Sequence, residues 1–168
     1  PGLETRDQVR LGSALDLNYA DGLAATQHIV HGRVVVRLKG GDPSVFGCGA
    51  DEIVALIGDA AKQAGIANCK FTAIAAPRFK EAEAGPREAA ERMNLPLLLI
   101  DDTAMKAAES RCPTRSDKAL EATGVSSVAE AAALAATGAN GRLVLPRIAS
   151  AMATCALAER GPRDEVSP

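Results

Sequence analysis

Short apolar runs alternate with amphipathic segments along most of this chain, and the alternation predicts its secondary structure. Four apolar runs have the length of a strand, at residues 34–38, 70–75, 95–100 and 142–145. Residues 153–157 fit either a fifth strand or a last helix. Because helix-like segments separate the predicted strands, the pattern favours an α/β fold, a three-layer sandwich with a mainly parallel sheet.

The predicted helices are recognised by an apolar stripe or by the residues at their ends. After Asp51 and Glu52, apolar side chains recur at helical spacing as far as Ala60. A helix over 86–93 follows the second strand, and a short helix capped by Asp101 follows the third. The sequence therefore predicts a helix after each of the first three strands.

A further helix is predicted in the alanine-rich segment that ends before Gly138. Ser126 and Ser127, followed by Glu130, form a capping-box pattern, in which a serine and a glutamate each bond to the backbone of the other. Upstream, Pro113 imposes a turn, since proline cannot continue a helix. We therefore expect a turn and then a locally capped helix.

One compact domain with two flanking segments is the expected organisation. Residues 1–32 carry scattered charge and weak periodicity, so we expect a weakly structured N-terminal segment. Residues 33–160 hold all the predicted strands and form the α/β domain, while residues 161–168 are expected to be a frayed tail. A chain of 168 residues is long enough to build one such domain around a single core.

Composition and charge restrict the core and the class of partner. Apolar residues make up 47% of the chain but aromatic residues only 2%, so the core must be built from aliphatic side chains. Lys and Arg number 19 against 21 Asp and Glu, which gives no electrostatic reason to expect a nucleic acid or a membrane surface as partner. No apolar run is as long as a membrane span, and we expect a cytoplasmic protein.

The sequence offers no pattern for a metal centre. His28 and His31 stand three residues apart, but no third ligand of matching spacing accompanies them. The cysteines lie far apart without a C-x-x-C pair, at Cys48, Cys69, Cys112 and Cys155. We therefore expect reduced thiols and no bound metal.

Two predicted loop-to-helix junctions offer groups that favour an anion. The loops at 47–49 and 123–127 each lead into a helix, where free N–H groups and the macrodipole attract negative charge. The second loop is expected at the edge where open α/β sheets place ligands. Lys80, Arg115 and Arg147 are candidate partners for carboxylates. The alternatives stay open, namely helix capping for the loops and ordinary solvated charge for the cations.

The later part of the chain resembles a known family. The block TGVSSVAEAAALAATG at residues 123–138 is followed by RLVLPRIASAMATCALAE at residues 142–159. Upstream, Lys80, Glu83 and Gly85 form a K-x-x-E-x-G pattern. In this order, the blocks resemble the cobalamin-biosynthesis family that comprises CobE and the C-terminal domain of CbiG. The resemblance implies an α/β domain that binds a precorrin or corrinoid intermediate between the loops of its sheet.

This resemblance extends over about residues 47–159 and implies a set of substrate-binding residues. They are Cys48, Gly49, Lys80, Glu83, Thr123, Gly124, Ser126, Ser127 and Arg147. It also implies no required cofactor, with the tetrapyrrole and other cobalamin-pathway enzymes as expected partners. In CbiG proteins, the related domain belongs to a protein that opens a lactone, so assistance to a cobalt-precorrin-5A hydrolase-type step is a second implication. We favour binding or carriage over catalysis.

A shorter stretch resembles a second family. Residues 33–47 read RVVVRLKGGDPSVFG and, continued to residue 52, resemble the signature of the uroporphyrinogen-III C-methyltransferases. The resemblance implies contact with S-adenosylmethionine through Gly40, Gly41, Asp42 and Pro43. A truncated S-adenosylmethionine-dependent methyltransferase is therefore an alternative. A non-functional gene-fusion fragment is another, and a plain strand-to-helix turn is the structural interpretation of the same glycines.

Overall fold

Strands and helices alternate along residues 33–37 and 49–161, the part of the chain that the structure, a computed structural model, describes. The strands are β1 (Arg33–Arg37), β2 (Phe71–Pro77), β3 (Leu97–Ile100), β4 (Gly141–Ala149) and β5 (Thr154–Arg160). The helices are α1 (Ala50–Gln63), α2 (Ala84–Arg92), α3 (Asp102–Ala108), α4 (Asp117–Thr123) and α5 (Val128–Thr137). Short 3₁₀ turns follow β2 and α3, at Arg78–Lys80 and Glu109–Arg111.

The described strands form one sheet in the order β3-β2-β1-β5-β4. β1 pairs in parallel with β2, and β2 with β3, whereas β5 runs antiparallel to both β1 and β4. β5 is reversed because a tight turn joins it to β4, with Ser150 N donating to Ala153 O at 2.8 Å. The predicted α/β fold is confirmed, and residues 153–157 belong mainly to a strand rather than to a helix.

Helices cover the two faces of the sheet and create two apolar clusters. On one face, α1 and α2 pack against Cys155 and Leu157 of β5. On the other face, α3 and α5 pack against Ala156 and Ala158 of the same strand. The alternation follows from the period-2 geometry of a strand, which sends successive side chains to opposite faces. The sheet is therefore the middle layer of three.

Helix α5 is the most deeply buried helix of the second face. Eight of its ten residues are buried, including a run of alanines from Ala131 to Ala133. Small side chains let the helix axis come close to the sheet, and they carry little side-chain entropy to lose on folding. The position of α5 is therefore fixed by close backbone packing, and its two ends are held at opposite edges of the sheet.

Two local predictions were wrong, and one helix was missed. Ser127 precedes α5 but makes no side-chain capping bond, so the capping box with Glu130 does not form. Asp101 precedes α3 but also makes no capping bond, and its carboxylate pairs with Arg78 instead. Helix α4 was not predicted at all, although Ser116 caps it through its hydroxyl. Glu130 and Asp101 bond to partners that the local sequence pattern does not contain. Helix α4 was missed because it is too short to show an apolar stripe.

Some predictions lie outside the described residues. These are the weakly structured segment 1–32, the cofactor-binding turn at Gly40–Pro43, Cys48 and most of the tail at 161–168. Among the described residues, no helix is long and apolar enough to cross a membrane. Within the same part of the chain, no group of three His, Cys, Asp or Glu side chains is arranged to hold a metal ion.

Cys112 is expected to be chemically inert in the folded protein. Burial, with a smaller contribution from the Glu130 and Glu109 carboxylates, raises the pKa of the Cys112 thiol from 9.0 to about 12. At about pH 8 the thiolate is therefore scarce, and thiolate is the nucleophile. Site-resolved mass spectrometry after iodoacetamide treatment should find Cys69, which is half-buried, alkylated well before Cys112.

The same pKa shift makes folding weaker in alkali. Between about pH 9 and 12, the unfolded chain releases the Cys112 proton before the folded protein does, so the free energy of unfolding falls as pH rises through this window.

For the alkylation experiment, a denatured sample is the control, since all thiols should then react together. Equal alkylation of Cys69 and Cys112 in the native protein would contradict this account.

Candidate functional site

One edge of the sheet collects the loops that lead into the helices, and we call it the carboxyl edge. The carboxyl ends of β1, β2 and β3 lie there because these strands are parallel. β4 runs in the same direction, since both β1 and β4 are antiparallel to β5. The C-terminus of α5 leads into the start of β4 at the opposite edge, so the N-terminus of α5 lies at the carboxyl edge. Ligands of open α/β sheets bind at this edge.

A fully buried carboxylate organises the carboxyl edge. Glu130, in the first turn of α5, is 0% exposed. It accepts hydrogen bonds from Thr114 N at 3.0 Å and Thr114 Oγ1 at 2.6 Å. It also accepts one from Arg147 N at 2.8 Å. We call this set of three residues the Glu130 clamp. It joins the turn after α3, the start of α5 and β4, and both of its carboxylate oxygens are occupied by donors.

One donor of the clamp, the backbone N–H of Arg147, is a group that the pairing of β4 with β5 does not use. The pairing of β4 with β5 shifts register between Leu145 and Ile148, on either side of Pro146 and Arg147. Pro146 has no N–H, and the irregularity takes Arg147 N out of the regular ladder. A buried N–H without an acceptor is costly, and Glu130 supplies the acceptor. The clamp therefore fixes the backbone of Arg147 at the carboxyl edge.

A second carboxylate holds the loop before α5. Glu109 accepts hydrogen bonds from Ser126 N at 3.0 Å and from the Arg115 guanidinium at 3.0 Å. The Ser126 hydroxyl donates to Thr114 O at 3.2 Å. Glu109 therefore holds the loop before α5, and together with Glu130 it places two carboxylates near the N-terminus of that helix.

Ser127 is a donor that the fold leaves without a partner. Its hydroxyl is buried and has no hydrogen bond, and the residue is 1% exposed. Ser116, before α4, has nearly the same backbone conformation (φ −144°, ψ 110° against φ −144°, ψ 96°), yet its hydroxyl accepts from Ala119 N at 3.3 Å. A buried hydroxyl without a partner costs about 1–3 kcal/mol. Ser127 therefore differs from an ordinary N-cap such as Ser116, because its hydroxyl makes no capping bond.

Thr123 and Gly124 are used within helix α4. The Thr123 hydroxyl donates to Ala119 O at 2.8 Å. Gly124 ends the helix at φ 75°, and a Cβ at this position would lie 2.8 Å from Lys106 Cε. Glycine suits such a left-handed C-cap because it has no side chain. Both residues have structural roles, and the ligand contacts predicted for them stay predictions.

The three candidate cations differ in their partners. Lys80 forms an ion pair with Glu83, so these two predicted binding residues are brought together. Arg115 is paired with Glu109. Arg147 is exposed, and within residues 49–161 its guanidinium has no hydrogen bond or ion pair. Of the three, Arg147 is the cation that can meet a ligand without first breaking a described ion pair.

The junction before α1 is described only from Gly49. Gly49 is exposed and extended and occupies the N-cap position. Asp51 does not cap the helix, since its carboxylate pairs with Arg92 of α2. Glu52 accepts a hydrogen bond from the Ser150 hydroxyl at 2.9 Å, which links the start of α1 to the β4–β5 turn. The anion site predicted at 47–49 is thus described only at its last residue.

Sequence reasoning missed the residues of the clamp apart from Arg147. Glu130 was assigned to a local cap, and Thr114 was not among the predicted site residues. A usable signal was present, because Glu130 is the one charged residue in the segment 128–137, which otherwise consists of Ala, Val, Leu and Thr. An isolated acid in a helix that is apolar all round predicts a buried, hydrogen-bonded carboxylate.

The fold and the carboxyl edge define a small three-layer α/β domain, and comparisons with known proteins identify its family. A family model described as Cobalamin synthesis G C-terminus matches residues 45–158. Protein CobE from Sinorhizobium sp is 32% identical over 126 residues, which cover 71% of this chain and 82% of that protein. The chain belongs to this family of cobalamin-biosynthesis proteins, and the resemblance to CobE and the C-terminal domain of CbiG is confirmed.

Two crystal structures share the fold. One is CobE, described as a protein from the cobalamin (vitamin B12) biosynthetic pathway, with a TM-score of 0.66, 28% identity, and coverage of 75% of this chain and 91% of that chain. The other is cobalamin biosynthesis protein chiG from Agrobacterium tumefaciens str. C58, with a TM-score of 0.59, 32% identity, and coverage of 77% and 99%. The methyltransferase resemblance of residues 33–52 receives no support from these comparisons.

The Glu130 clamp generates a prediction about stability. In Glu130→Gln, an amide N–H₂ replaces one acceptor oxygen and faces donors from Thr114 or Arg147. We expect a loss of about 1–3 kcal/mol in the free energy of unfolding, and a fall in Tm of about 2–4 °C for each kcal/mol. Thermal unfolding followed by circular dichroism measures it. Glu121→Gln, at an exposed position on α4, is the matched control, and equal Tm values for the two variants would refute the clamp.

The unpaired Ser127 hydroxyl generates an opposite expectation. Ser127→Ala removes a buried group that has no partner, so the ligand-free protein should be as stable as the wild type or more stable. Ser116→Ala removes a real cap and should cost about 1 kcal/mol. Denaturant titration of both variants compares them. If Ser127→Ala is as destabilised as Ser116→Ala, the Ser127 hydroxyl has a partner in solution.

Proposed function

We propose that this protein binds a precorrin or corrinoid intermediate of cobalamin biosynthesis at the carboxyl edge of its sheet, as a binding or carrier protein. Family membership supports the pathway, since the matching relatives are described as cobalamin-biosynthesis proteins. The position of the site is supported by the general placement of ligands in open α/β sheets.

Arg147 is the observation that carries the proposal. Precorrins and corrinoid acids bear acetate and propionate side chains, so a binding site needs cations at its rim. The Arg147 guanidinium is exposed and has no described partner, while the Glu130 clamp holds its backbone through a 2.8 Å hydrogen bond. A fixed backbone reduces the entropy lost on binding. Arginine also binds a carboxylate through two parallel N–H groups, which adds directional strength.

Lys80 and Ser127 extend the proposed site. The Lys80 side chain is 18% exposed and faces Glu83, so a ligand carboxylate would share Lys80 with that partner. The Ser127 hydroxyl is a buried donor without a partner among the described residues. These two residues are expected to add selectivity, and Arg147 to add most of the electrostatic attraction.

The described groups favour binding over hydrolysis. A hydrolase needs a side chain that can take a proton from water or attack the substrate. Both oxygens of Glu130 are occupied by donors, and the raised pKa of Cys112 keeps that thiol protonated. Neither histidine of the chain lies within residues 49–161. We therefore place binding first, and assistance to a hydrolase-type step second.

Titration of the purified protein with hydrogenobyrinic acid, read by visible absorbance, tests the proposal. We expect saturable binding, and Arg147→Gln should raise Kd by about tenfold or more, because a hydrogen bond to a charged group contributes about 1.5–3 kcal/mol. Arg142→Gln is the matched control, since Arg142 lies at the opposite end of β4 and pairs with Glu159. Its Kd should equal that of the wild type.

Two results would overturn this assignment. Absence of corrinoid binding by the wild-type protein would refute the carrier function, and an unchanged Kd in Arg147→Gln would remove Arg147 from the site. Calorimetry with S-adenosylhomocysteine runs in parallel. Binding of that nucleoside without corrinoid binding would favour the methyltransferase alternative instead.

A further inference from the structure

An exposed aromatic side chain stands at the carboxyl edge, directly after β2. Phe79 is 52% exposed, and together with Leu120 it is one of two large apolar side chains exposed in the described part of the chain. The protein has only three phenylalanines, one tyrosine and no tryptophan. Phe71, by contrast, is half-buried and packs against the core. A chain with so few aromatic residues therefore leaves one of them in water at the edge where its ligand is proposed to bind.

The turn that carries Phe79 is braced on both sides. Arg78 donates to Asp101 at the end of β3, and Lys80 is paired with Glu83 at the start of α2. Within the turn, Glu81 N donates to Arg78 O at 2.9 Å. Both neighbours of Phe79 are therefore tied to other elements, and the aromatic ring is presented on a fixed backbone.

Further backbone contacts continue this bracing into helix α2. Glu83 N donates to Lys80 O at 3.0 Å, and the Arg87 guanidinium donates to Glu81 O at 3.1 Å. An ordered turn loses little conformational entropy when a ligand lands on it. The brace explains how an exposed apolar side chain can act as a binding surface rather than as a mobile loop residue.

We propose that Phe79 is the surface on which the macrocycle of the tetrapyrrole rests, and that it determines selectivity for a macrocycle over smaller carboxylic acids. This inference depends on the proposed function. A tetrapyrrole combines a broad, largely apolar ring with carboxylate side chains at its rim, so an aromatic platform and cations suit different parts of it. An exposed aromatic side chain offers a large apolar area on which such a ring can be buried.

The distance across the sheet between Phe79 and Arg147 agrees with their proposed roles as aromatic platform and cation. Phe79 follows β2, and Arg147 lies near the end of β4. The strand order places β1 and β5 between them, so three strand spacings separate the two strands. At about 4.8 Å for each spacing, this is about 14 Å. A tetrapyrrole with its carboxylate side chains can span that distance, whereas a single small carboxylic acid cannot.

Substitutions of Phe79 test the platform directly. Phe79→Ala should raise the Kd for hydrogenobyrinic acid by about three- to tenfold. Its Tm should equal that of the wild type because the side chain is exposed. Phe79→Leu, which keeps apolar area but not the ring, should fall between the two. Citrate, a small polycarboxylate, should compete equally weakly in all three proteins.

A fluorescence measurement separates a platform from a distant structural effect. Because the chain has no tryptophan, Phe79→Trp introduces a single reporter. Hydrogenobyrinic acid at saturating concentration should quench the emission of this variant strongly. Asn68→Trp, an exposed site in the loop between α1 and β2 at the opposite edge, is the matched control and should be quenched much less.

The outcomes distinguish this inference from the proposed function. If the wild type binds the corrinoid but Phe79→Ala binds it equally well, the platform is refuted and the carrier function stands. Equal quenching of the two tryptophan variants would also refute the platform. If the wild type binds no corrinoid, the proposed function fails, and the platform fails with it.

Discussion

The buried carboxylate of Glu130 is the interaction on which the arrangement of the carboxyl edge depends. A charge that is removed from water is costly unless hydrogen bonds replace its hydration. Here the donors are two groups of Thr114 and the backbone N–H of Arg147, which the β4 irregularity leaves available. Each partner would be unsatisfied without the others, so the three segments are mutually fixed. The turn, the start of α5 and the end of β4 form one unit for this reason.

The alanine-rich packing of α5 makes this electrostatic arrangement possible. Small side chains bring the helix close to the sheet, and nearly every residue of α5 is buried. At that distance a glutamate in the first turn reaches the backbone of β4 and of the turn after α3. A helix with bulky side chains would stand farther from the sheet, and the clamp would not close. The low aromatic content of the chain is thus part of the geometry of the site.

The order and type of the main elements could be predicted from the sequence because apolar periodicity reports burial directly. The failures occurred where distant and local partners compete. Glu130 bonds to Thr114, sixteen residues away, rather than to the backbone beside Ser127. Asp101 pairs with Arg78 across two strand ends. No single-sequence pattern records such neighbours, since they are created by the parallel sheet that brings the loops together.

Only part of the candidate site could be predicted from the sequence. The ordered blocks of residues 123–159 identified the family, and the loop before α5 was expected at the correct edge of the sheet. Which cation remains available could not be read from the chain, because Lys80 and Arg115 differ from Arg147 only in the carboxylates that the fold places beside them. Charge alone is therefore a poor guide to a binding residue until the partners of each charge are known.

The groups that the fold leaves unsatisfied indicate what kind of ligand suits this edge. Two carboxylates, those of Glu109 and Glu130, already lie near the α5 N-terminus, and their negative charge disfavours a further small anion there. What remains is a cation at the end of β4, an aromatic ring after β2 and a buried hydroxyl before α5. These groups differ in chemistry and lie on separate strands and helices. A broad ligand with an apolar ring and carboxylates at its rim suits the cation and the aromatic ring together, in agreement with the tetrapyrrole that we propose from the family.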